Sequence, residues 1–335
     1  MSENLLEITN LKMHFPIMGG VMLKQVGAVK AVDDVSLFIR PGETLGLVGE
    51  SGCGKSTLGK AAVRLHAPTA GKVIFDGNDI TRAGARQLRG IREDMQMIFQ
   101  DPAESLDPRM SVRAIIDEAF SIHKMGTRAE RNQWILELLD QVGLPKGAID
   151  KFSFEFSGGQ RQRIGIARAI ALKPKLVIAD EPVSALDVSV QSQVLNLMMD
   201  LQRDMGLAYL FIAHDLAVVK HISDRVAVMY LGKIVEIADA DAIYKNPKHA
   251  YTQALLSAIP EPDPEMKQDR VRLEGEIPSP INPPAGSAFG HRIKHPKYDQ
   301  TIGIDLSLVE IEKDHWVAAD PCCLSKEDFE VAKGL

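Results

Sequence analysis

The stretch GESGCGKST, Gly49 to Thr57, decides the fold of this chain. It follows the apolar run TLGLV (44–48) and precedes LGKAAVRL (58–65), whose composition favours a helix. A glycine-rich turn between a strand and a helix, with the pattern G-x-x-x-x-G-K-[ST], is typical of a loop that binds phosphate. The residues that we expect to contact the phosphates are Gly49, Ser51, Gly52, Cys53, Gly54, Lys55, Ser56 and Thr57.

The residue types in this loop suit a nucleotide. Glycines leave the backbone bare, so that its N–H groups form a nest for an anion at the start of a helix. Lys55 would place a cation against the β- and γ-phosphates, Ser56 would be a ligand for Mg²⁺, and Thr57 would reach the α-phosphate. The alternative is a chance match in a turn that contains glycine.

Length and composition narrow the class of protein. The 335 residues suffice for one large domain with an appendage or for two domains. The net charge of −6 argues against a protein that coats nucleic acid. No run approaches the roughly 18 apolar residues of a membrane-spanning helix, and the N-terminus carries no secretory signal. We therefore expect a cytoplasmic protein that reaches a membrane only peripherally.

The cysteines agree with a reducing compartment. Cys53, Cys322 and Cys323 are too few and too unevenly spaced for a disulfide framework. Cys53 lies inside the phosphate loop, where we expect it to oxidise readily.

Apolar runs separated by helical patterns predict an α/β fold with a parallel core and an antiparallel flank formed by the early strands. A helical region fills about 101–172, and a further helix ends at Gly206. After about 245 proline becomes frequent, in PEPDPEMKQ (260–268) and PSPINPPAG (278–286), so we expect 255–335 to form a small appendage outside the sheet. The strand candidates are 5–11, 35–39, 44–48, 72–75, 95–99, 175–179, 208–213, 225–230 and 233–238.

Two further motifs contain residues that could bind a metal ion, activate a water molecule or bind an anion. KLVIADEP (175–182) is an apolar run that ends in Asp180, a candidate Mg²⁺ ligand, and Glu181, a candidate base for an attacking water. The alternative is an ordinary acidic turn. FSGGQRQR (156–163) places Ser157 as an N-cap before a helix whose first turn is basic, which suits an anion at that helix start. The alternative is an ordinary helix cap.

Together these motifs resemble the ATP-binding subunit of an ABC transporter. The phosphate loop, SGGQ (157–160), the strand that ends in Asp180 and Glu181, SALD (184–187) and a lone His214 follow one another as in that family. IFQDP (98–102), YTQALLSAIP (251–260) and LEGEIPSPINPP (273–284) resemble the oligopeptide/dipeptide importer branch. The resemblance implies a P-loop NTPase fold, with an ATP-binding domain over 1–250 and a C-terminal extension over 251–335.

The resemblance also implies roles for single residues. Phe15 would stack on adenine, although it could equally be a core residue, and His14 is its rival. Gln100 would contact Mg²⁺ and the water, and His214 would contact the γ-phosphate. Ser157, Gly158, Gly159, Gln160 and Asp187 would act in trans, on the ATP held by a second ATP-binding subunit.

The family implies partners and a location. They are two transmembrane permease subunits, a second ATP-binding subunit that is more often a different chain than a copy, and an extracytoplasmic solute-binding protein. The expected location is the cytoplasmic face of the membrane.

The rival hypothesis is an ABC ATPase of DNA repair or translation, a class of protein that usually has two ATPase cassettes in one chain or a long coiled coil. Nickel, opines and sugars are alternative cargoes.

One departure from the branch concerns metal. Many members have cysteines, resembling iron–sulfur ligands, where this chain has Ser287, Ile293 and Ala319, so we expect no cluster. Cys322 and Cys323 could instead form a metal site with His291, His295 or His315, or be a plain pair.

Overall fold

The computed structural model describes residues 3–20, 24–259 and 275–334. The chain divides into two compact units. The first consists of the described residues within Met1–Leu5, Ile39–Thr44 and Arg82–Ile212, and the second of those within Leu6–Phe38, Leu45–Thr81 and Ala213–Leu335.

Strands and helices alternate over most of the chain. In the described ranges the strands are β1 (Leu6–Gly19), β2 (Lys24–Ile39), β3 (Thr44–Val48), β4 (Ala70–Phe75), β5 (Asn78–Asp79), β6 (Met95–Ile98), β7 (Leu176–Asp180), β8 (Ala208–Ala213), β9 (Arg225–Tyr230), β10 (Lys233–Asp239), β11 (Leu308–Glu312) and β12 (His315–Ala318). The α-helices there are α1 (Lys55–Ala62), α2 (Ala85–Asp94), α3 (Pro102–Ser105), α4 (Val112–Ile122), α5 (Arg128–Gln141), α6 (Gly158–Ile170), α7 (Val188–Met205), α8 (Leu216–Ile222), α9 (Ala240–Lys245), α10 (Ala250–Ser257), α11 (Ala288–Arg292) and α12 (Lys326–Ala332).

The second unit contains both kinds of strand pairing. Its early strands form a sheet in the order β2-β1-β4-β5, in which β1 is antiparallel to β4. In its other sheet β3 is parallel to β9, with Leu45 opposite Arg225, and β10 is antiparallel to β9. Every residue of β3 and β9 is buried, because helices cover parallel strands on both faces. The predicted parallel core with an antiparallel flank is confirmed.

The C-terminal residues extend this sheet, so the expectation of an appendage outside it is wrong. β12 is antiparallel to β10, with Val317 opposite Glu236 and Trp316 opposite Ile237, and β11 is antiparallel to β12. Valine and tryptophan favour strands, but HWVA is too short to stand out among polar and proline-rich neighbours. Within the proline-rich part, 260–268 lies outside the described residues, and 278–286 has neither helix nor strand.

The first unit combines a parallel sheet with the predicted helical region. β7 pairs in parallel with β6 and with β8. Between residues 101 and 172 lie α3, α4, α5 and α6, and α6 packs against the other three. α5 begins with a capping box between Thr127 and Glu130, and Gly143 follows its end with a φ of 68°.

In the described ranges, none of the helices combines the length and the hydropathy that crossing a membrane requires.

Candidate functional site

The phosphate loop connects β3 to α1. Gly49, Gly52 and Gly54 have φ angles of 156°, 79° and 109°. A Cβ atom on Gly49 would lie 2.1 Å from the carbonyl oxygen of Met229, and one on Gly54 would lie 2.0 Å from that of Ala31. Around Gly52, by contrast, no atom of the described residues other than its chain neighbours lies within 4 Å of that position. Two of the glycines are therefore required by backbone packing, and Gly52 faces open space that a ligand could enter.

Lys55, the first residue of α1, is buried within the loop. Its Nζ donates to the carbonyl oxygen of Gly49 at 2.7 Å and to that of Glu50 at 3.1 Å. Cys53 Sγ lies 3.9 Å from the same Nζ. Burial raises the pKa of the Cys53 thiol, and the Lys55 ammonium offsets only part of that rise. A buried, protonated thiol reacts slowly, so the structure argues against ready oxidation of Cys53.

The hydroxyl residues of the loop lie at its exposed side and at the helix start. Ser51 is exposed, whereas Ser56 and Thr57 are half-buried in the first turn of α1. The first turn of α1 contains no acidic residue, so its positive end is not neutralised by the helix itself.

Glu50 is held by residues from the C-terminal part of the chain, contacts that no sequence motif predicts. Its N–H donates to the Tyr251 hydroxyl at 3.0 Å. Arg292 donates to both carboxylate oxygens, with Nη1–Oε2 at 2.6 Å and Nη2–Oε1 at 3.2 Å. Burial lowers the pKa of Arg292, but hydrogen bonding to Glu50 leaves it raised overall. The phosphate loop is thus fixed by two residues more than 200 positions away in the chain.

Phe15 lies on β1 with 37% of its side chain exposed, which does not fit a core residue. Its ring makes an edge contact with His66, with centroids 5.9 Å apart. The neighbouring His14 has Nε2 3.0 Å from Asp33 Oδ1. Phe15 therefore presents an accessible ring, whereas His14 is held by a carboxylate.

Two acidic residues mark the carboxyl end of β7. Asp180 is the last residue of this strand and is 3% exposed. Glu181 follows with a φ of 46°, a backbone conformation uncommon for a residue other than glycine. Its N–H donates to Ile212 O at 2.9 Å, and its Oε2 accepts from Gln100 Nε2 at 3.3 Å. The structure thus brings Gln100 to Glu181, as expected of residues that share a water.

The SGGQ segment forms the start of α6. Ser157 is the N-cap and forms a capping box with Gln160. A Cβ atom on Gly159 would lie 2.4 Å from Val190 Cγ1. The close contact with α7 therefore leaves no room for a side chain at Gly159, the second glycine of SGGQ. Gly158 is less constrained, since its nearest neighbour would be 3.5 Å away.

Asp187 and His214 stand at two other helix starts. Asp187 precedes α7 and is exposed, and its side chain makes no cap hydrogen bond there. His214 is exposed and lies between β8 and α8, one residue before the N-cap Asp215.

The cysteine pair does not meet the histidines expected from the sequence. His315 Nε2 lies 2.8 Å from the buried Glu236, the His291 ring contacts Tyr298, and His295 Nδ1 accepts from Lys297 N–H. The histidine beside Cys323 is His249 instead. No motif marks His249, because it is distant from the cysteines in the chain.

Comparisons with known proteins match both parts of the chain. The model of the ABC transporter family matches residues 32–184, and that of the oligopeptide/dipeptide transporter C-terminal region matches residues 235–295. The chain is 54% identical over 293 residues to the oligopeptide transport ATP-binding protein AppF of Bacillus subtilis, covering 87% of this chain and 89% of that protein. It belongs to the ABC transporter family. This ABC protein is also 57% identical to OppF of Bacillus subtilis, another oligopeptide transport ATP-binding protein, over 81% of this chain and 88% of that one.

Solved structures agree on the fold of this ABC protein. The dimeric ATP-binding cassette MJ0796, in a post-hydrolysis state with ADP and phosphate, matches with a TM-score of 0.63 at 26% identity, covering 70% of this chain and 98% of that chain. CbiO1 of Clostridium perfringens matches in fold with the same TM-score of 0.63 at 23% identity, over 73% of this chain and 92% of that chain. The chain is an ATPase with the P-loop ABC fold.

Proposed function

We propose that this chain hydrolyses ATP to power the import of oligopeptides or dipeptides, or of a related small solute, as one subunit of an ABC importer. The observation that carries the proposal is the match of residues 235–295 to the oligopeptide/dipeptide transporter C-terminal region. The names of AppF and OppF, both oligopeptide transport ATP-binding proteins, support the same cargo.

The phosphate loop and Phe15 would bind the nucleotide. Lys55, held by two loop carbonyls, would turn its ammonium to the β- and γ-phosphates, and the loop N–H groups would surround them. The open space at Gly52 supports such a contact. The exposed ring of Phe15 offers a face for adenine.

The residues proposed as metal ligands suit Mg²⁺, which prefers oxygen donors. They are the Ser56 hydroxyl, the Asp180 carboxylate and the Gln100 side-chain carbonyl. Gln100 donates through Nε2 to Glu181, which leaves its carbonyl oxygen available as the ligand atom. When bound, Mg²⁺ would neutralise charge on the phosphates.

Hydrolysis would depend on Glu181, Gln100 and His214. The Glu181 carboxylate would accept a proton from the water that attacks the γ-phosphorus in line with the β–γ bond. Gln100, hydrogen bonded to that carboxylate, would orient the same water. His214 would donate to the γ-phosphate and position it.

Each ATP would lie between two ATP-binding subunits. We propose that two segments act on the ATP of the partner subunit. They are Ser157, Gly158, Gly159 and Gln160 at the positive end of α6, and Asp187 at the start of α7. ATP would join the subunits, and hydrolysis would separate them. A different ATP-binding chain is the favoured partner.

The remaining assembly follows from the importer role. Two permease subunits would contact the helical region over 101–172, and an extracytoplasmic binding protein would deliver the solute. The chain would lie on the cytoplasmic face of the membrane, with its ATP-binding domain over 1–250 and its extension over 251–335. No iron–sulfur cluster is proposed, because Ser287, Ile293 and Ala319 offer no thiolate.

Uptake in cells tests this proposal. Cells that lack this chain would receive wild type, Glu181→Gln, or the control Glu330→Gln, which alters an exposed residue of α12. We expect labelled di- and oligopeptides to enter with wild type and with Glu330→Gln, and not with Glu181→Gln. Unchanged peptide uptake in deleted cells that have no second peptide importer would contradict the peptide cargo.

A further inference from the structure

Three side chains of types that commonly bind metal ions lie close together in the C-terminal part of the second unit. His249, Asp320 and Cys323 are 1%, 4% and 4% exposed. One ring nitrogen, one carboxylate oxygen and the sulfur of these residues all lie within 4.8 Å of one another. His249 is the N-cap of α10, and Asp320 and Cys323 lie in the turn after β12. This turn is joined to α10 by a hydrogen bond from Ala250 N–H to the Cys323 carbonyl oxygen at 2.8 Å.

The hydrogen bonds around this cluster fix its carboxylate. The Ser287 hydroxyl donates to Asp320 Oδ2, and the Cys322 N–H donates to Oδ1 at 2.9 Å. The thiols of Cys322 and Cys323 also hydrogen bond to Asp320, so the donors to this buried carboxylate are neutral groups. Since a buried charge is costly unless it is paired or coordinates a metal, a cation would stabilise the arrangement.

We propose that His249, Asp320 and Cys323 bind a divalent transition metal, with Zn²⁺ as the best fit. An imidazole, a carboxylate and a thiolate are each ligands that zinc accepts, whereas Mg²⁺ and Ca²⁺ disfavour sulfur. One carboxylate and one thiolate balance two positive charges, so the loaded site is neutral. Three protein ligands leave a fourth position for water. His249 and Asp320 also line a cavity of about 310 Å³.

Metal binding requires deprotonated ligands. Burial lowers the pKa of His249, although Glu236 and Asp320 oppose this. Burial and Asp320 raise the pKa of the Cys323 thiol, so a metal must displace its proton. Coordination would also break the hydrogen bond from Tyr251 N–H to His249 Nδ1. If Nδ1 binds the metal, its lone pair is used, and if Nε2 binds, Nδ1 carries the proton and can no longer accept.

Cys322 offers a matched control for Cys323. It is buried and adjacent in the chain, and its thiol also hydrogen bonds to Asp320 and Ser287, but its sulfur is not one of the three grouped ligand atoms. His291, which is exposed and outside the cluster, serves the same purpose for His249.

Zinc content of the purified full-length chain tests the proposal. After equilibration with equimolar Zn²⁺ and removal of free metal, we expect about one zinc per wild-type chain. Cys322→Ser and His291→Gln should keep that zinc, and Cys323→Ser and His249→Gln should lose it. A wild-type chain without zinc, a Cys323→Ser chain that retains it, or a Cys322→Ser chain that loses it would each overturn the site.

A second measurement does not depend on variants that fold. Co²⁺ added to the wild-type chain should give a thiolate-to-cobalt charge-transfer band and visible absorption typical of four-coordinate cobalt. Equimolar Zn²⁺ should abolish both. A spectrum equal to that of Co²⁺ in buffer would show that the cluster is a hydrogen-bonded core without a metal, which overturns the proposal.

Discussion

The proposed role of Glu181 in ATP hydrolysis depends on its carboxylate group. Its carboxylate is the proposed base and accepts a hydrogen bond from Gln100. Glu181→Gln keeps the shape of the side chain but removes the base, so kcat for ATP hydrolysis should fall about 10²- to 10⁴-fold. ATP binding should persist, and an ATP-bound dimer should accumulate.

Single-turnover hydrolysis and size-exclusion chromatography with ATP would check this prediction. Glu330→Gln is the control, because it makes the same chemical change at an exposed position of α12. Hydrolysis by Glu181→Gln at the wild-type rate would exclude Glu181 as the base.

Tyr251 contributes one hydroxyl to the phosphate loop, as acceptor for Glu50 N–H. Tyr251→Phe removes a hydrogen bond worth about 1 kcal/mol, which corresponds to about fivefold in an equilibrium constant. Because the loop binds phosphate before and during hydrolysis, we expect KM for ATP to rise about fivefold with kcat nearly unchanged.

Steady-state kinetics of Tyr251→Phe and Tyr244→Phe would distinguish a role of Tyr251 in positioning the phosphate loop from a general loss of protein stability. Tyr244 also has an engaged hydroxyl, which donates to the Leu216 carbonyl, so its loss costs one hydrogen bond elsewhere. An equal rise of KM in both variants would contradict a specific role for Tyr251.

The site residues divide into those the sequence could predict and those it could not. Lys55, Asp180 and Glu181 lie in local motifs whose chemistry is readable from spacing. The resemblance suggested Gln100, and its contact with Glu181 is present. No local pattern links Arg292 or Tyr251 to the phosphate loop, because their partner Glu50 is more than 200 residues away in sequence.

At the scale of elements, the start of α6 depends on its contact with α7. A methyl group on Gly159 would collide with Val190 Cγ1, so Gly159→Ala should displace the SGGQ segment and lower ATPase activity. Removing the obstructing atoms in Gly159→Ala/Val190→Ala should restore much of that activity.

ATPase rates and melting temperatures of these variants, with Gly165→Ala as control, would test the contact. Gly165 lies in the same helix with no atom within 4 Å of its Cβ position, so alanine there should be tolerated. Full activity in Gly159→Ala, or no recovery in the double variant, would contradict the steric explanation.

Glu236 joins three elements of the second unit. Its carboxylate accepts from Lys248 N–H at 2.7 Å and His249 N–H at 3.0 Å, and His315 of β12 lies 2.8 Å away. Burial alone would raise the pKa of Glu236, but these hydrogen bonds lower it overall. The ionised group therefore stabilises the fold above its unfolded pKa of about 4.3, and this stability is lost as pH falls through the lower folded pKa.

Thermal unfolding of wild type and Glu236→Gln across pH would measure this contribution. We expect the variant to melt lower at pH 7 and the difference to shrink as the pH falls below about 4.3. A difference that is the same at pH 7 and at pH 3 would contradict a role for the ionised carboxylate.

Elements were predictable where their residues form a continuous apolar, buried run. β3, β8 and β9 are such runs and occupy the predicted ranges, and α7 ends before Gly206 as expected. β11 and β12 could not be predicted, because β11 has no buried residue and β12 has only four residues. β12 joins the sheet by pairing with β10, and β11 by pairing with β12, and no local pattern encodes the contact with β10.

At the scale of the whole molecule, the sequence establishes an ATPase but carries little information on the solute. The proposed hydrolytic residues are on this chain, whereas solute selection would belong to the permease subunits and the binding protein. The C-terminal part supplies the link to peptides through its family match over 235–295.

The most direct test of the central claim is ATP hydrolysis by the complete transporter in proteoliposomes, with and without its binding protein loaded with a labelled oligopeptide. We predict that the loaded binding protein accelerates hydrolysis and that labelled peptide crosses the membrane only when ATP is present. Hydrolysis at the same rate under both conditions, with no peptide transported, would contradict an ATPase that powers peptide import.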